Sequence, residues 1–150
     1  MVFLQSMKRK IIYIINPISG TRAKANLQAF IEEKTKEQGI AFQVFPSLAS
    51  GNYSFLKPII KEQHITDIVI AGGDGTVSQV VGSLMNESVN FGVIPCGSGN
   101  GLAFAAGISK DAGKALNVVF NGVAVETDGF YINNMFACML CGLGFDAKVA

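Results

Sequence analysis

Short apolar runs alternate with stretches of helical periodicity over the first 120 residues. The run at residues 11–15 is continuous and largely β-branched, which is typical of a strand buried on both faces. From Ala23 to Ile31 apolar residues recur at helical spacing, and Gly39 is a suitable stop for that helix. Further strands are predicted at 40–45, 67–71 and 91–94, and further helices at 52–63, 76–85 (with Thr76 as N-cap), 100–107 and 112–120. This alternation predicts an α/β fold, a parallel sheet with helices on both faces.

The pattern changes after Asn121-Gly122. Residues 123–127 alternate in polarity as a strand does, Asp128-Gly129 is a hairpin turn signal, and residues 130–140 form another strand-like run. We therefore predict an α/β domain at residues 8–121 and the beginning of an antiparallel β-rich domain at 122–150. Because the chain stops without a polar tail, we expect it to be the first part of a longer protein.

Composition narrows the class of protein. Apolar residues make up 49% of the chain, which excludes wholesale disorder, and the net charge of +1 gives no argument for nucleic acid as a partner. The three cysteines are an odd number without a disulfide framework, and no run of 18 apolar residues occurs. We expect a cytoplasmic protein whose contact with a membrane, if it has one, is peripheral.

Glycine is concentrated where predicted strands end. The turn at 72–76 (GGDGT) follows the third strand, the turn at 95–101 (PCGSGNG) follows the fourth, and the loop at 16–21 follows the first. Glycines followed by a helix N-terminus suit a phosphate group, and the carboxyl edge of a parallel sheet is where ligands bind. The motifs GxxxxGK[ST] and GxGxxG are both absent, which disfavours a P-loop or a standard dinucleotide-binding domain.

Asp74 is the most telling residue of these turns. A carboxylate among three glycines would crowd the phosphates, so it needs a purpose. It would bind Mg²⁺ or accept a proton from an attacking hydroxyl. The alternative is a turn in which the carboxylate only stabilises the local backbone.

Four blocks occur in a specific order: NPISG (16–20), GGDGT (72–76), IPCGSGNGLA (94–103) and GLGFDA (142–147). With them the chain resembles the catalytic domain of diacylglycerol kinases and sphingosine kinases. It is more distantly similar to NAD kinases and phosphofructokinases, which implies the nucleotide-domain fold of those enzymes. Family proteins are about twice this length, and their second domain holds most of the lipid site, so the resemblance implies that this chain alone is inactive.

The resemblance implies ATP as phosphoryl donor, Mg²⁺, and a lipid alcohol of the diacylglycerol or sphingoid type as acceptor. Asp74 would be the catalytic residue and a candidate for contact with Mg²⁺, and Asp146 would lie near the lipid headgroup. The nucleotide-binding residues implied are Asn16, Pro17, Ser19, Gly20, Ser47, Gly72, Gly73, Gly75, Thr76, Gly97, Ser98, Gly99 and Asn100.

Two departures from the family pattern leave questions open. Gln79 stands where bacterial members commonly have an acidic residue, and PCGSGN looks more like sphingosine and ceramide kinases. An NAD kinase-like enzyme and a catalytically silent nucleotide-binding module are the alternatives. The acceptor lipid, the choice between base and metal organiser for Asp74, and the oligomeric state stay open, with a homodimer among the options.

Overall fold

The computed structural model describes residues 8–16 and 22–138, with side chains from residue 26 onward in the second range. The elements in chain order are β1 (Lys10–Ile15), α1 (Arg22–Glu37), β2 (Ala41–Pro46), α2 (Leu56–Gln63), β3 (Asp67–Gly72), α3 (Asp74–Leu84), β4 (Asn90–Pro95), α4 (Gly101–Ala105), α5 (Ala112–Asn121), β5 (Phe130–Ile132) and β6 (Met135–Ala137).

The first four strands form one parallel sheet in the order β2-β1-β3-β4. Ile14 of β1 pairs with Phe45 of β2 on one side and with Ile70 of β3 on the other. The chain leaves β1 toward β2 and then crosses back to place β3 on the opposite side. The loops after β1 and β3 therefore diverge, and this reversal is where open α/β sheets bind their ligands.

Both faces of the sheet are covered, as the sequence predicts. Ile11 and Tyr13 pack toward α1 and α5, whereas Ile12 and Ile14 pack toward α2 and α3. All four of these side chains are fully buried. The α/β prediction is thus confirmed, and the two buried faces account for the continuous apolar run in β1.

Two local predictions are wrong. Helix α3 begins at Asp74 with Gly73 as N-cap, so Thr76 lies inside the first turn and does not cap it. Residues 123–127 form no strand, and Val123 is 89% exposed. Alternation alone does not make a strand, because a strand needs a hydrogen-bonded neighbour, and none of the described residues pairs with this segment.

A hairpin forms, but it lies within residues 130–137 and not across Asp128-Gly129 as predicted. Strands β5 and β6 are antiparallel, and the residues that connect them are Asn133 and Asn134, with φ of 46° and 64°. A two-residue turn of this kind needs positive φ at both positions, which Asn tolerates. The predicted turn at Asp128-Gly129 instead precedes β5. Whether a domain boundary lies at residue 121 stays a prediction.

The hairpin packs on α3 through a glycine. A Cβ built on Gly82 would lie 2.9 Å from Cβ of Phe136. Such a separation is shorter than carbon atoms accept, so Gly82 allows β6 to reach the helix.

Among the described residues, no helix combines the length and the apolar character needed to cross a bilayer.

A partly buried ion pair between Arg9 and Asp67 fastens the amino edge of the sheet. Nε and Nη2 of Arg9 each donate to the Asp67 carboxylate over 2.8 Å, and Nη1 donates to the carbonyl of Phe120 at the end of α5. Burial by itself would raise the pKa of Asp67, but the bonds from Arg9 and from the Thr66 hydroxyl outweigh it and lower that pKa.

We expect Asp67→Asn to lower the free energy of unfolding at neutral pH by about 1.5–3 kcal/mol, the range for hydrogen bonds to charged groups. A carboxylate with a lowered folded-state pKa stabilises the protein above its unfolded pKa of ~3.9 and loses that effect as the pH falls through the folded value. In urea unfolding, the difference in free energy of unfolding between wild type and variant should therefore be smaller at pH 3 than at pH 7. Glu37→Gln is the control, because its ion pair with Lys34 is exposed and contributes below ~1 kcal/mol. A difference of constant size would contradict the assignment.

A second variant tests the docking of the hairpin. In an isolated helix, Gly→Ala is stabilising by ~1 kcal/mol. Gly82→Ala should instead destabilise the protein, because its methyl group meets Phe136. Thermal unfolding measures the sign, and Gly82→Ala should cost less in a Phe136→Gly background, where the colliding Cβ is absent, than in the wild type. A higher melting temperature for Gly82→Ala alone would show that the hairpin does not rest on this helix.

Candidate active site

The two glycine turns touch each other at the carboxyl edge of the sheet. They follow β3 and β4, which are neighbours, and the N–H of Cys96 still donates to the carbonyl of Gly72 over 3.1 Å. A Cβ on Gly97 would lie 2.6 Å from Cα of Gly73. Contact between the turns therefore requires glycine at this position, a reason that sequence reasoning did not find.

The loops after β1 and β2 begin at the same edge. The N–H of Asn16 donates to the carbonyl of Ala71 over 3.1 Å, and that of Ser47 to the carbonyl of Ile15 over 2.9 Å. These contacts bring Asn16 and Ser47 to the edge that carries both glycine turns. Pro17, Ser19, Gly20 and Asp146, which the sequence also nominated, lie outside the described residues.

The Asp74 carboxylate bridges the two turns. Its Oδ2 accepts the N–H of Gly101 over 2.9 Å, and its Oδ1 accepts the N–H of Leu102 over 3.1 Å. Asp74 thus satisfies the first backbone donors of α4 from a different loop, which differs from the local turn considered as its alternative role. An ionised carboxylate has about four acceptor sites, so each oxygen keeps capacity for another partner.

The side chain of Asn100 forms two hydrogen bonds within the second glycine turn. Its Oδ1 accepts the N–H of Gly97 over 2.7 Å, and its Nδ2 donates to the carbonyl of Gly97 over 2.6 Å. The residue is 2% exposed and has a left-handed backbone with φ of 59°. Sequence reasoning nominated it only as a nucleotide ligand. The available signal was its place among glycines before a helix, since Asn tolerates left-handed φ better than most residues.

Helix α3, unlike α4, has no side-chain cap at its first turn among the described residues. Its N-cap, Gly73, supplies no side-chain hydrogen bond, so the N–H groups of the first turn have no cap of that kind. A Cβ on Gly75 would meet no protein atom within 4 Å among the described residues. Beside Gly75, the positive end of the α3 dipole is therefore not covered by any described protein atom.

The loop after β2 is fastened to α3 by residues that sequence reasoning missed. The N–H of Tyr53 donates to Oγ of Ser83 over 3.2 Å, and the Tyr53 hydroxyl accepts the N–H of Leu48 over 3.0 Å. Gln79 lies against Gly51, where a Cβ would be 2.8 Å from Cδ of Gln79. No sequence pattern reveals the contacts of Tyr53 with Ser83 and of Gly51 with Gln79, because they join residues about 30 positions apart.

The site offers limited coordination to a metal. Within residues 8–16 and 22–138, no group of three or more His, Cys, Asp or Glu side chains could hold an ion. Asp74 is the one carboxylate of the two glycine turns. Mg²⁺ is commonly held by one or two carboxylates together with substrate phosphates, so a site made of Asp74 and a bound nucleotide fits this ion.

Comparison with known proteins gives a consistent result. The chain matches the diacylglycerol kinase catalytic domain over residues 10–132. It is 32% identical over 142 residues to a diacylglycerol kinase of Bacillus subtilis, covering 92% of this chain and 46% of that protein. It is 28% identical over 142 residues to the sphingoid long-chain bases kinase 1 of Arabidopsis thaliana, covering 88% of this chain and 18% of that protein.

Solved structures agree on the fold. A diacylglycerol kinase from Bacillus anthracis superposes with a TM-score of 0.71 at 18% identity, over 85% of this chain and 49% of that one. The chain spans about half the length of the bacterial diacylglycerol kinases that it matches. On the extent of the match over residues 10–132, the chain belongs to the diacylglycerol kinase catalytic domain family.

Proposed function

We propose that the protein containing this chain is an ATP-dependent lipid kinase, which transfers the γ-phosphoryl group to a lipid hydroxyl. The observation that carries this proposal is the juxtaposition of an open helix N-terminus with a carboxylate in the same turn, at the reversal point of the sheet. The backbone donors attract phosphate, and Asp74 lies where the phosphoryl group would pass.

The nucleotide phosphates would bind along the first turn of α3. Gly73, Gly75 and Thr76 contribute the glycine-rich backbone and the helix N-terminus there, and Gly72 ends the strand behind them. Asn16 and Ser47 approach from the neighbouring strands. The turn at 97–100 borders this space and adds Gly97, Ser98 and Gly99 to the proposed nucleotide site, together with Pro17, Ser19 and Gly20 of the first loop.

Asp74 is the proposed catalytic residue. Its carboxylate would accept the proton of the lipid hydroxyl or hold Mg²⁺ in contact with the phosphates. When bound, Mg²⁺ supplies positive charge that neutralises the phosphate oxygens. The α4 amides hold both oxygens of Asp74 in place, so the carboxylate needs little reorganisation before reaction.

The acceptor is proposed to be a diacylglycerol or a sphingoid base, since these are the substrates in the names of the relatives above. Asp146 is the proposed headgroup contact, and residues 122–150 the start of the lipid-binding region. Incubation of the full-length protein with labelled ATP, Mg²⁺ and a panel of both lipid classes tests the proposal. Labelled diacylglycerol or sphingoid base is the expected product, whereas phosphorylated NAD with unlabelled lipids would overturn it.

Gly75→Ala separates ligand contact from folding. The new methyl group meets no described protein atom, so the melting temperature should stay the same or rise. If phosphates approach this backbone, the KM for ATP should rise by at least about tenfold, because the new Cβ would occupy the space next to the backbone that a phosphate needs. The contrast is Gly97→Ala, whose Cβ collides with Gly73 and should lower stability. An unchanged KM for Gly75→Ala would show that phosphates bind elsewhere.

Asp74→Asn tests the chemistry of the carboxylate. Asn can accept one of the two α4 amides but presents an N–H₂ group to the other, so stability should fall by about 1 kcal/mol. The value of kcat should fall by more than ~10²-fold, because the variant neither accepts a proton nor supplies charge to Mg²⁺. Asp111→Asn is the matched control, since Asp111 accepts one backbone amide as N-cap of α5 and lies outside the site. Near-native kcat for Asp74→Asn would reduce this residue to a helix cap.

A further inference from the structure

We propose that Asn100 is a positioning residue for Asp74 and not a ligand of the nucleotide. The inference rests on the proposed kinase function, in which Asp74 acts on the transferred group. The structure connects the two residues through the backbone of α4, in three steps.

The first step is the use of the Asn100 side chain. Both amide atoms are engaged by the backbone of Gly97, one as acceptor and one as donor. Because the backbone of Gly97 supplies one donor and one acceptor, Oδ1 of Asn100 faces the N–H of Gly97 and Nδ2 faces its carbonyl. At 2% exposure the residue presents almost no surface to a ligand. Its hydrogen-bonding capacity therefore serves the turn at residues 97–100.

The second step is the backbone of Asn100 itself. It is the N-cap of α4, and its left-handed φ of 59° directs the chain from the turn into the helix. The next two N–H groups, those of Gly101 and Leu102, then meet the two oxygens of Asp74. Because each oxygen has its own donor, rotation of the carboxylate about its Cβ–Cγ bond would break both hydrogen bonds.

The third step is the spacing between the turns. Gly97 sits between Gly73 and Asn100, and a Cβ on it would lie 2.6 Å from Cα of Gly73 and 3.0 Å from Oδ1 of Asn100. The side chain of Asn100 thus holds Gly97 against the backbone next to Asp74. The amide of Asn100, the turn and the first amides of α4 form one unit that orients the carboxylate.

Orientation of this kind affects the chemical step more than ground-state binding. A displacement of about 1 Å at a reacting group can cost ~10²-fold in rate. A residue that touches the nucleotide would instead change its affinity. The two roles therefore predict different kinetic results for the same substitution.

The decisive variant is Asn100→Gly in the full-length protein, because Gly keeps the left-handed backbone and removes the amide. We expect kcat to fall by about 10–100-fold while the KM for ATP changes by less than about threefold. Hydrogen–deuterium exchange at the amides of Gly101 and Leu102 should become at least about tenfold faster. Asn134→Gly is the matched control, since Asn134 also has left-handed φ, at 64°, but lies in the hairpin turn; kinetics and exchange at residues 101–102 should be unchanged.

Asn100→Asp serves where the glycine variant does not fold. It keeps an acceptor for the N–H of Gly97 and loses the donor to its carbonyl, so kcat should again fall with KM retained. A rise in the KM for ATP with native kcat would identify Asn100 as a nucleotide ligand and overturn the inference, and so would unchanged exchange at Gly101 and Leu102. If the wild-type protein phosphorylates no lipid, the proposed function fails, but the exchange measurement still decides whether Asn100 holds these amides on Asp74.

Discussion

Asp74 joins two loops that the sequence separates by about 25 residues, and the arrangement of the site depends on this contact. Its two oxygens accept the first two backbone N–H groups of α4, while its own backbone opens α3. The carboxylate thereby sets where α4 begins relative to α3. A negative charge at a helix N-terminus is also favoured by the helix dipole. One side chain therefore has a structural role, the capping of α4, and is at the same time the only carboxylate of the two glycine turns.

The capping of α4 by Asp74 distinguishes the N-termini of α3 and α4 as places where a ligand could bind. The first two N–H groups of α4 are bonded to Asp74, whereas Gly73 gives α3 no side-chain cap, and no described protein atom would contact a Cβ on Gly75. In the proposed kinase, an anion would therefore bind at α3, next to the carboxylate that would act on it. Repulsion between Asp74 and a phosphate is reduced because two backbone donors already bind the carboxylate. The same geometry makes Asp74→Asn a combined test of stability and chemistry, so that a capping control is needed to separate them.

Glycine is present in the two turns for different structural reasons. Gly97 is required by contact with Gly73, whereas a Cβ on Gly75 would meet no described protein atom within 4 Å. A sequence motif cannot distinguish these cases, since both glycines follow a strand and precede a helix. The difference lies in the distance between the turns, which follows from the pairing of β3 with β4. Glycine substitutions at these two positions are therefore expected to have opposite effects on stability.

The sequence by itself determined the α/β class, the four parallel strands and the edge at which the glycine turns meet. Hydrophobic periodicity is a local property, and burial of β1 on both faces accounts for its continuous apolar run. Resemblance to the family nominated Asp74 and the two turns. The alternation at 123–127 predicted a strand that does not form, because a strand requires pairing with another strand, which is not a local property. Only the tertiary structure decided the capping of α4 by Asp74, the inward amide of Asn100 and the fastening of Tyr53 to Ser83. Each is a contact between groups far apart along the chain or hidden inside a turn, and its geometry exists only after the sheet has brought the strands together.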